Sequence, residues 1–155
     1  MTTTLTPGTL VVTINEQVTL NGQEANSVNT LTLTNNIAET YKRILTVPTS
    51  EIVAWTTHDT DVAGSQFDDD LVKYIRVTNK DGSNFVAIRI TDANSDEFLY
   101  KLEAGASFIL GTHATGAMSG GKAENAGAAP DAAIVSMEAQ ADTAACDCEI
   151  FVATT

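Results

Sequence analysis

Basic side chains are scarce in this 155-residue chain, which has eight Lys and Arg against twenty Asp and Glu and a net charge of −12. The few cations are scattered between Lys42 and Lys122, and only Lys42 and Arg43 are adjacent. Nucleic-acid binding needs clustered cations that neutralise phosphates, so this composition argues against a nucleic-acid partner. The acidity predicts solubility and repulsion between copies, and it also fits a saline environment or docking onto a basic surface.

Long apolar runs are also missing. None approaches the roughly 20 residues that a membrane-spanning helix requires. Residues 1–8 lack the basic and hydrophobic parts of a secretory signal. We therefore expect a soluble protein, made in a cytoplasm, with no membrane partner. The length favours one domain over residues 1–155, large enough to bury a core without disulfides or metals.

Cysteine and histidine are nearly absent, which limits metal and redox chemistry. Cys146 and Cys148 are the only cysteines. On a strand their side chains would share a face with α-carbons about 6.5–7 Å apart, at the edge of disulfide geometry. The two histidines, His58 and His113, have no paired spacing that would complete a zinc site. We interpret the cysteines as structural thiols and expect no cofactor.

Short apolar segments cut by Asp, Asn and Gly are what the chain has in abundance. In residues 71–110 they follow one another closely, and Val86, Ile88 and Ile90 alternate with polar or small neighbours. This pattern predicts an antiparallel meander, with a tight hairpin at Asp81-Gly82.

Similar segments predict further strands, and Asn21-Gly22 predicts a second hairpin. These strands are expected over residues 9–14, 28–34, 41–47, 51–57, 132–138 and 147–152, with a turn at 35–39 and a short turn or helix at 139–145. Nine or ten short strands without a long helix predict an all-β fold, an antiparallel β-sandwich or a jelly-roll-like arrangement.

Two segments fall outside this pattern. Residues 1–8 are predicted to be a flexible N-terminal arm, and residues 111–131 a long Gly/Ala-rich loop. Segments of this kind order on a neighbouring protein through close backbone contacts, or they remain disordered appendages.

Acidic clusters are the candidates for chemistry. Asp92, Asn94, Asp96 and Glu103 partly match the ligand spacing of a calcium-binding loop. The glycine that such a loop needs at its sixth position is Glu97 here, so an acidic hairpin turn is the competing interpretation. The aspartates between residues 59 and 70 fit a cation site or a solvated loop.

Catalytic patterns are weakly represented. Neither histidine lies beside a nucleophile in a Gly-rich elbow. A pair of carboxylates for sugar hydrolysis would lack aromatic platforms, since the chain has one Trp and three Tyr. We interpret the chain as a non-enzyme. An acidic hydrolase and a carbohydrate- or calcium-dependent binding module are the alternatives.

Three segments resemble a known class of protein. They are Tyr74-Ile-Arg-Val-Thr-Asn, Asn84-Phe-Val-Ala-Ile-Arg-Ile, and Phe98-Leu-Tyr-Lys-Leu-Glu-Ala-Gly-Ala-Ser-Phe-Ile-Leu. Together with residues 28–34 and 42–50, they resemble small β-sandwich virion proteins of tailed bacteriophages, particularly marine ones. The resemblance covers residues 9–110 and leaves 111–131 unmatched.

The resemblance implies a capsid decoration (cement) protein on the capsid surface, or a neck, tail or fibre-base component. The implied partners are the major capsid protein or another virion protein, and copies of the chain itself in a symmetric oligomer, with a trimer favoured. The two irregular segments would then supply the contacts, and we expect them from Thr2, Thr3, Thr4, Leu5, Pro7, His113, Met118 and Lys122.

Overall fold

Strands supply the regular structure of the computed structural model, which describes residues 6–58, 66–110, 119–120 and 132–155. In chain order the strands are β1 (Gly8–Glu16), β2 (Thr19–Leu20), β3 (Gln23–Glu24), β4 (Ser27–Ile37), β5 (Glu39–Val47), β6 (Ile52–His58), β7 (Phe67–Asp68), β8 (Val72–Asn79), β9 (Val86–Asp92), β10 (Glu97–Leu102), β11 (Ser107–Leu110), β12 (Ser119–Gly120), β13 (Ala132–Ala141) and β14 (Cys146–Thr154). The predicted all-β fold is confirmed. No helix long and apolar enough to cross a bilayer occurs in the described ranges.

Two sheets pack face to face and make the sandwich. Sheet I has the order β10-β9-β13-β6-β7, with β12 added beside β13, and sheet II has the order β11-β8-β14-β5. Pairing is antiparallel except between β6 and β7. A separate hairpin of β1 and β4 carries the small β2-β3 hairpin.

The main core lies between the two sheets because alternate residues of each strand point inward. Trp55, Ile88 and Met137 of sheet I meet Ile75 and Ile150 of sheet II in one buried cluster. A register irregularity between residues 134 and 136 lets β13 keep apolar residues inward on both sides of the break.

The number of strands was underestimated from the sequence, since the described residues form fourteen strands rather than nine or ten. β2, β3, β7 and β12 are two residues long, too short to produce a periodic pattern. In the expected turn at 35–39, β4 continues to Ile37 and β5 begins at Glu39, so Ala38 alone joins them. The Ala38 N–H donates to Thr154 O at 2.9 Å. At 139–145, β13 extends to Ala141 and no helix forms.

The predicted meander over residues 71–110 is wrong in its connections, although β9 and β10 do pair as consecutive antiparallel strands. β8 belongs to sheet II and β9 to sheet I, so Asp81-Gly82 connects two sheets and is not a hairpin turn. The Asp81 carboxylate accepts hydrogen bonds from the N–H groups of Ser83 and Asn84, both at 2.7 Å, and fixes the crossing. These bonds, led by the one from Asn84, hold the pKa of Asp81 below its usual value. The hairpin predicted at Asn21-Gly22 is confirmed, with φ of 51° and 77°.

Candidate interaction surface

The β1-β4 hairpin covers part of the outer face of sheet II. Leu33 and Ile37 are buried there against Tyr74 and Ala153, with Phe151 beside them. Leu10 lies opposite Leu33 in the hairpin and points the same way. Tyr74 and Phe151 meet edge to face, with ring centroids 6.0 Å apart. This small cluster is separate from the main core, so it anchors the hairpin without being part of the sandwich interior.

Beyond that anchor the hairpin leaves the body. Every residue from 13 to 30 is exposed, and we call this part the projecting hairpin. With about 3.3 Å per strand residue, the distance from Thr13 to the turn at Asn21 corresponds to roughly 25–30 Å. Asn26 holds the distal part in place, because its Oδ1 accepts from the Val18 N–H at 3.1 Å and its Nδ2 donates to Glu24 at 3.2 Å.

The projecting hairpin carries large apolar side chains in solvent. They are Ile14, Val18, Leu20 and Val28, of which Leu20 is 67% exposed. Its charged residues are Glu16 and Glu24. Ile14 and Val28 lie on opposite faces of the ribbon, because Ile14 is opposite Asn29 and Val28 is opposite Asn15. An isolated two-stranded ribbon is marginally stable in water, so exposed aliphatic groups on both of its faces make it a candidate surface for contact with another protein.

Two shallow grooves run between the hairpin and the outer face of sheet II. One has a volume of about 360 Å³ and is lined by Val12, Ile14, Tyr74, Ile109 and Phe151 among others. The second, about 210 Å³, shares Val12, Ile14 and Ile109. Among the described residues that line them, Arg76 alone is charged, and it donates to Glu149 at 2.5 Å. The grooves therefore offer apolar contact rather than converging acids and bases.

The residues predicted to contact a partner fall mostly elsewhere. Thr2, Thr3, Thr4, Leu5, His113, Met118 and Lys122 lie outside the described residues, and Pro7 is exposed just before β1. Within the predicted loop 111–131, Ser119–Gly120 form β12 and pair with Ala132 and Ala133. The sequence predicted the hairpin at Asn21-Gly22 but did not show that it projects from the body or that its aliphatic side chains are exposed.

The candidate calcium ligands do not converge. Asp92 Oδ1 accepts from the N–H groups of Asn94 and Asp96, both at 2.9 Å, as in an ordinary Asx turn. β10 runs back along β9 from Glu97 opposite Thr91 to Leu102 opposite Val86. Glu103 therefore lies at the other end of the hairpin, roughly 20 Å from Asp92 by strand rise. Lys101 is its ion-pair partner at 2.7 Å.

Asp68, Asp69 and Asp70 place one carboxylate oxygen each within 4.8 Å of the others. Asp68 and Asp69 both accept from the Asp70 N–H at 3.0 Å, which is local turn bonding. The earlier aspartates of the predicted acidic cluster, Asp59 and Asp61, lie outside the described residues.

Both cysteines are free and buried on the inner face of β14. Burial raises the pKa of Cys148 to about 12 and also raises that of Cys146. Thiols in this environment are poor nucleophiles and poor metal ligands at neutral pH, because the thiolate is the reactive form. The expected burial of both thiols is confirmed.

A scan against protein-family models and a search of curated proteins found no match to this chain.

Proposed function

We propose that this chain is a non-enzymatic structural protein of a bacteriophage virion that holds neighbouring capsid subunits together. One observation supports the proposal most directly. Large aliphatic side chains stand exposed on a hairpin that projects from a well-packed body, above an apolar groove. The proposal of a virion and a capsid rests on the resemblance of residues 9–110 to small phage β-sandwich proteins.

The projecting hairpin is suited to binding in a cleft between two subunits. Burying Leu20 completely would contribute about 1.5–3 kcal/mol, and roughly two thirds of that remains to be gained because the side chain is 67% exposed. Each hairpin thus offers a modest affinity. Many copies on one particle would together add substantial stability to the shell.

The buried clusters give a physical reason why the sandwich would serve as a rigid body and the hairpin as the contact. The sandwich core involves both sheets and is closed, whereas the hairpin is fixed by a few residues at its base. A rigid body with one apolar extension can bridge two neighbours without itself changing shape. The partner is expected to present an apolar cleft free of acidic groups, since the hairpin itself is acidic.

The first test is the composition of gradient-purified virions of the phage that encodes the chain, measured by quantitative mass spectrometry. A decoration protein is expected in copy numbers comparable to those of the major capsid protein. A few copies per particle would instead favour the neck, tail or fibre base. Absence of the chain from particles would refute the proposal.

The second test compares two exposed aliphatic residues in co-sedimentation with particles stripped of the chain. Leu20→Ser on the projecting hairpin should weaken binding about 5–30-fold, the equivalent of roughly 1–2 kcal/mol. Val53→Ser is the control, since Val53 is 56% exposed on β6 of the body. Equal retention of both variants would show that the hairpin is not the contact.

A further inference from the structure

Strand β10 leaves one edge of sheet I open. Its residues pair with β9 from Glu97 to Leu102 without a register shift, and within the described ranges no strand pairs with its other side. Phe98, Leu99 and Tyr100 at its centre are all exposed, and Leu99 is 69% exposed. Edge strands are usually protected by proline, bulges or central charges, and β10 has none of these at its centre.

An aromatic cluster lies under this edge. The rings of Phe98 and Tyr100 stack with centroids 6.4 Å apart, and Tyr100 contacts Phe108 of sheet II at 5.1 Å. Leu99 points to the opposite, outer face, where its cross-strand neighbour is Arg89. The inner face of this edge is therefore aromatic, and its outer face carries Leu99 between the charged side chains of Glu97 and Lys101.

The sequence of β10 is complementary to itself. In Glu97-Phe-Leu-Tyr-Lys101, an antiparallel copy centred on Leu99 places Glu97 opposite Lys101 of the second copy. The same register places Phe98 opposite Tyr100 of the second copy and the two Leu99 side chains opposite each other. Opposite charges and aromatic pairs at directly opposed positions are favourable in sheets.

From this complementarity we propose that β10 is the interface between two copies of this chain, which pair antiparallel about a twofold axis at Leu99. The two copies of sheet I then form one continuous sheet. Parallel pairing would place like charges near each other, and a shift by two residues would oppose Glu97 or Lys101 to Leu99. Only the register centred on Leu99 satisfies both charges.

Glu97 and Lys101 already have partners in the monomer, but both side chains remain accessible at the surface. The side chain of Glu97 is 51% exposed in its ion pair with Arg89, and that of Lys101 is 56% exposed in its pair with Glu103. Both can bond across the new interface while remaining near their present partners. The net charge of −12 on each copy opposes association at long range, so added salt should first strengthen the pairing.

Disulfide trapping tests the twofold axis directly. Directly opposed residues in an antiparallel pair have α-carbons about 4.5–5.5 Å apart, which lies within the range of a disulfide. Leu99→Cys should therefore form a covalent dimer on mild oxidation. The natural cysteines should not interfere because both are buried.

The matched control is Ile44→Cys, which is 55% exposed on β5, the edge strand of sheet II. We expect Leu99→Cys to cross-link at least about tenfold faster than Ile44→Cys at equal protein concentration, as a specific pairing should. Equal cross-linking rates would overturn the proposal. Faster linking of Ile44→Cys would place the contact at the other edge.

Charge reversal gives a second, reversible readout by sedimentation velocity of the isolated protein. Glu97→Lys and Lys101→Glu should each weaken the dimer about tenfold, because each creates two like-charged pairs, and the double variant should recover. Unchanged fluorescence of Trp55 would show that each variant is folded. Lack of recovery in the double variant, a monomeric wild type or a trimer would each overturn the twofold pairing. Because no virion is present, failure here leaves the proposed function in place.

Discussion

Asn79 links both sheets and offers a sharp test of how the open edge is held in place. It is fully buried at the end of β8. Its Nδ2 donates to Asn84 O at 2.8 Å and to Leu102 O at 3.3 Å, and its Oδ1 accepts from the Asp81 N–H at 3.0 Å. Through Leu102, the last residue of β10, the amide fixes the edge strand of sheet I to sheet II.

Replacing Asn79 with Ala removes all three hydrogen bonds. At a net value of about 1 kcal/mol each, the free energy of unfolding should fall by about 3 kcal/mol. For a domain of this size, roughly 2–4 °C per kcal/mol gives a decrease in Tm of about 6–12 °C.

Replacing Asn79 with Asp keeps the shape but changes the chemistry. The carboxylate still accepts from Asp81, yet its second oxygen now faces the carbonyls of Asn84 and Leu102, which are also acceptors. A buried carboxylate in this position has its pKa raised, so the destabilisation is present above the ordinary pKa of aspartate and is relieved as pH falls. We therefore expect Asn79→Asp to have a lower free energy of unfolding than Asn79→Ala at pH 7, and this difference should shrink in acid.

Urea unfolding followed by the fluorescence of Trp55 measures these differences, because the single tryptophan is buried in the core. The wild type should be the most stable of the three proteins at pH 7 and Asn79→Asp the least stable, and Asn79→Asp should become more stable relative to Asn79→Ala as pH falls. Loss of less than about 1 kcal/mol in Asn79→Ala would refute the assigned value of the network. So would identical stability of the Ala and Asp variants at pH 7 and pH 4.

Three further predictions concern other parts of the molecule. Stability should decline as pH rises from about 8.5 towards 12, because unfolding releases the Cys148 proton, and Cys148→Ala should lessen that decline in alkaline urea titrations. Hydrogen bonds from Arg76 and then Lys42 lower the pKa of Glu149, so the stabilisation that they give is lost as pH falls through that lowered pKa. Glu149→Gln should therefore reduce the loss of unfolding free energy in acid, and an unchanged dependence on pH would contradict this. Leu33→Ala should cost about 2–3 kcal/mol locally and speed hydrogen exchange in β1 and β4 only, whereas uniform acceleration would show that hairpin and sandwich unfold together.

Local patterns were sufficient for most of the fold. Alternation in β8 and β9 predicted strands whose inward residues are indeed buried, and Asn21-Gly22 predicted its turn because both residues tolerate positive φ. Asp81-Gly82 has the same kind of turn sequence, yet it connects strands of two different sheets. Which sheet a strand joins depends on contacts distant in sequence, such as β13 inserting between β9 and β6, and no short window contains that information.

The candidate surface was less accessible to sequence reasoning. Val18, Leu20 and Val28 look like ordinary inward strand residues, since periodicity shows that a face is apolar but not what covers it. The same holds for Phe98 and Leu99 on β10. At Asp92 the sequence suggested a site that the fold does not form. The spacing of Asp92 and Glu103 resembles that of calcium ligands, but on a hairpin it places the two residues at opposite ends.

The single residue between β4 and β5 has a mechanical consequence. A load applied to the hairpin passes through Ala38 with almost no slack into β5, which is paired with β14 over its full length from Glu39 opposite Thr154 to Val47 opposite Cys146. When such a load acts along β5, the hydrogen bonds of that ladder resist it together rather than opening one after another. A pull on the hairpin would thus be carried by the whole β5–β14 ladder, which joins the hairpin to sheet II.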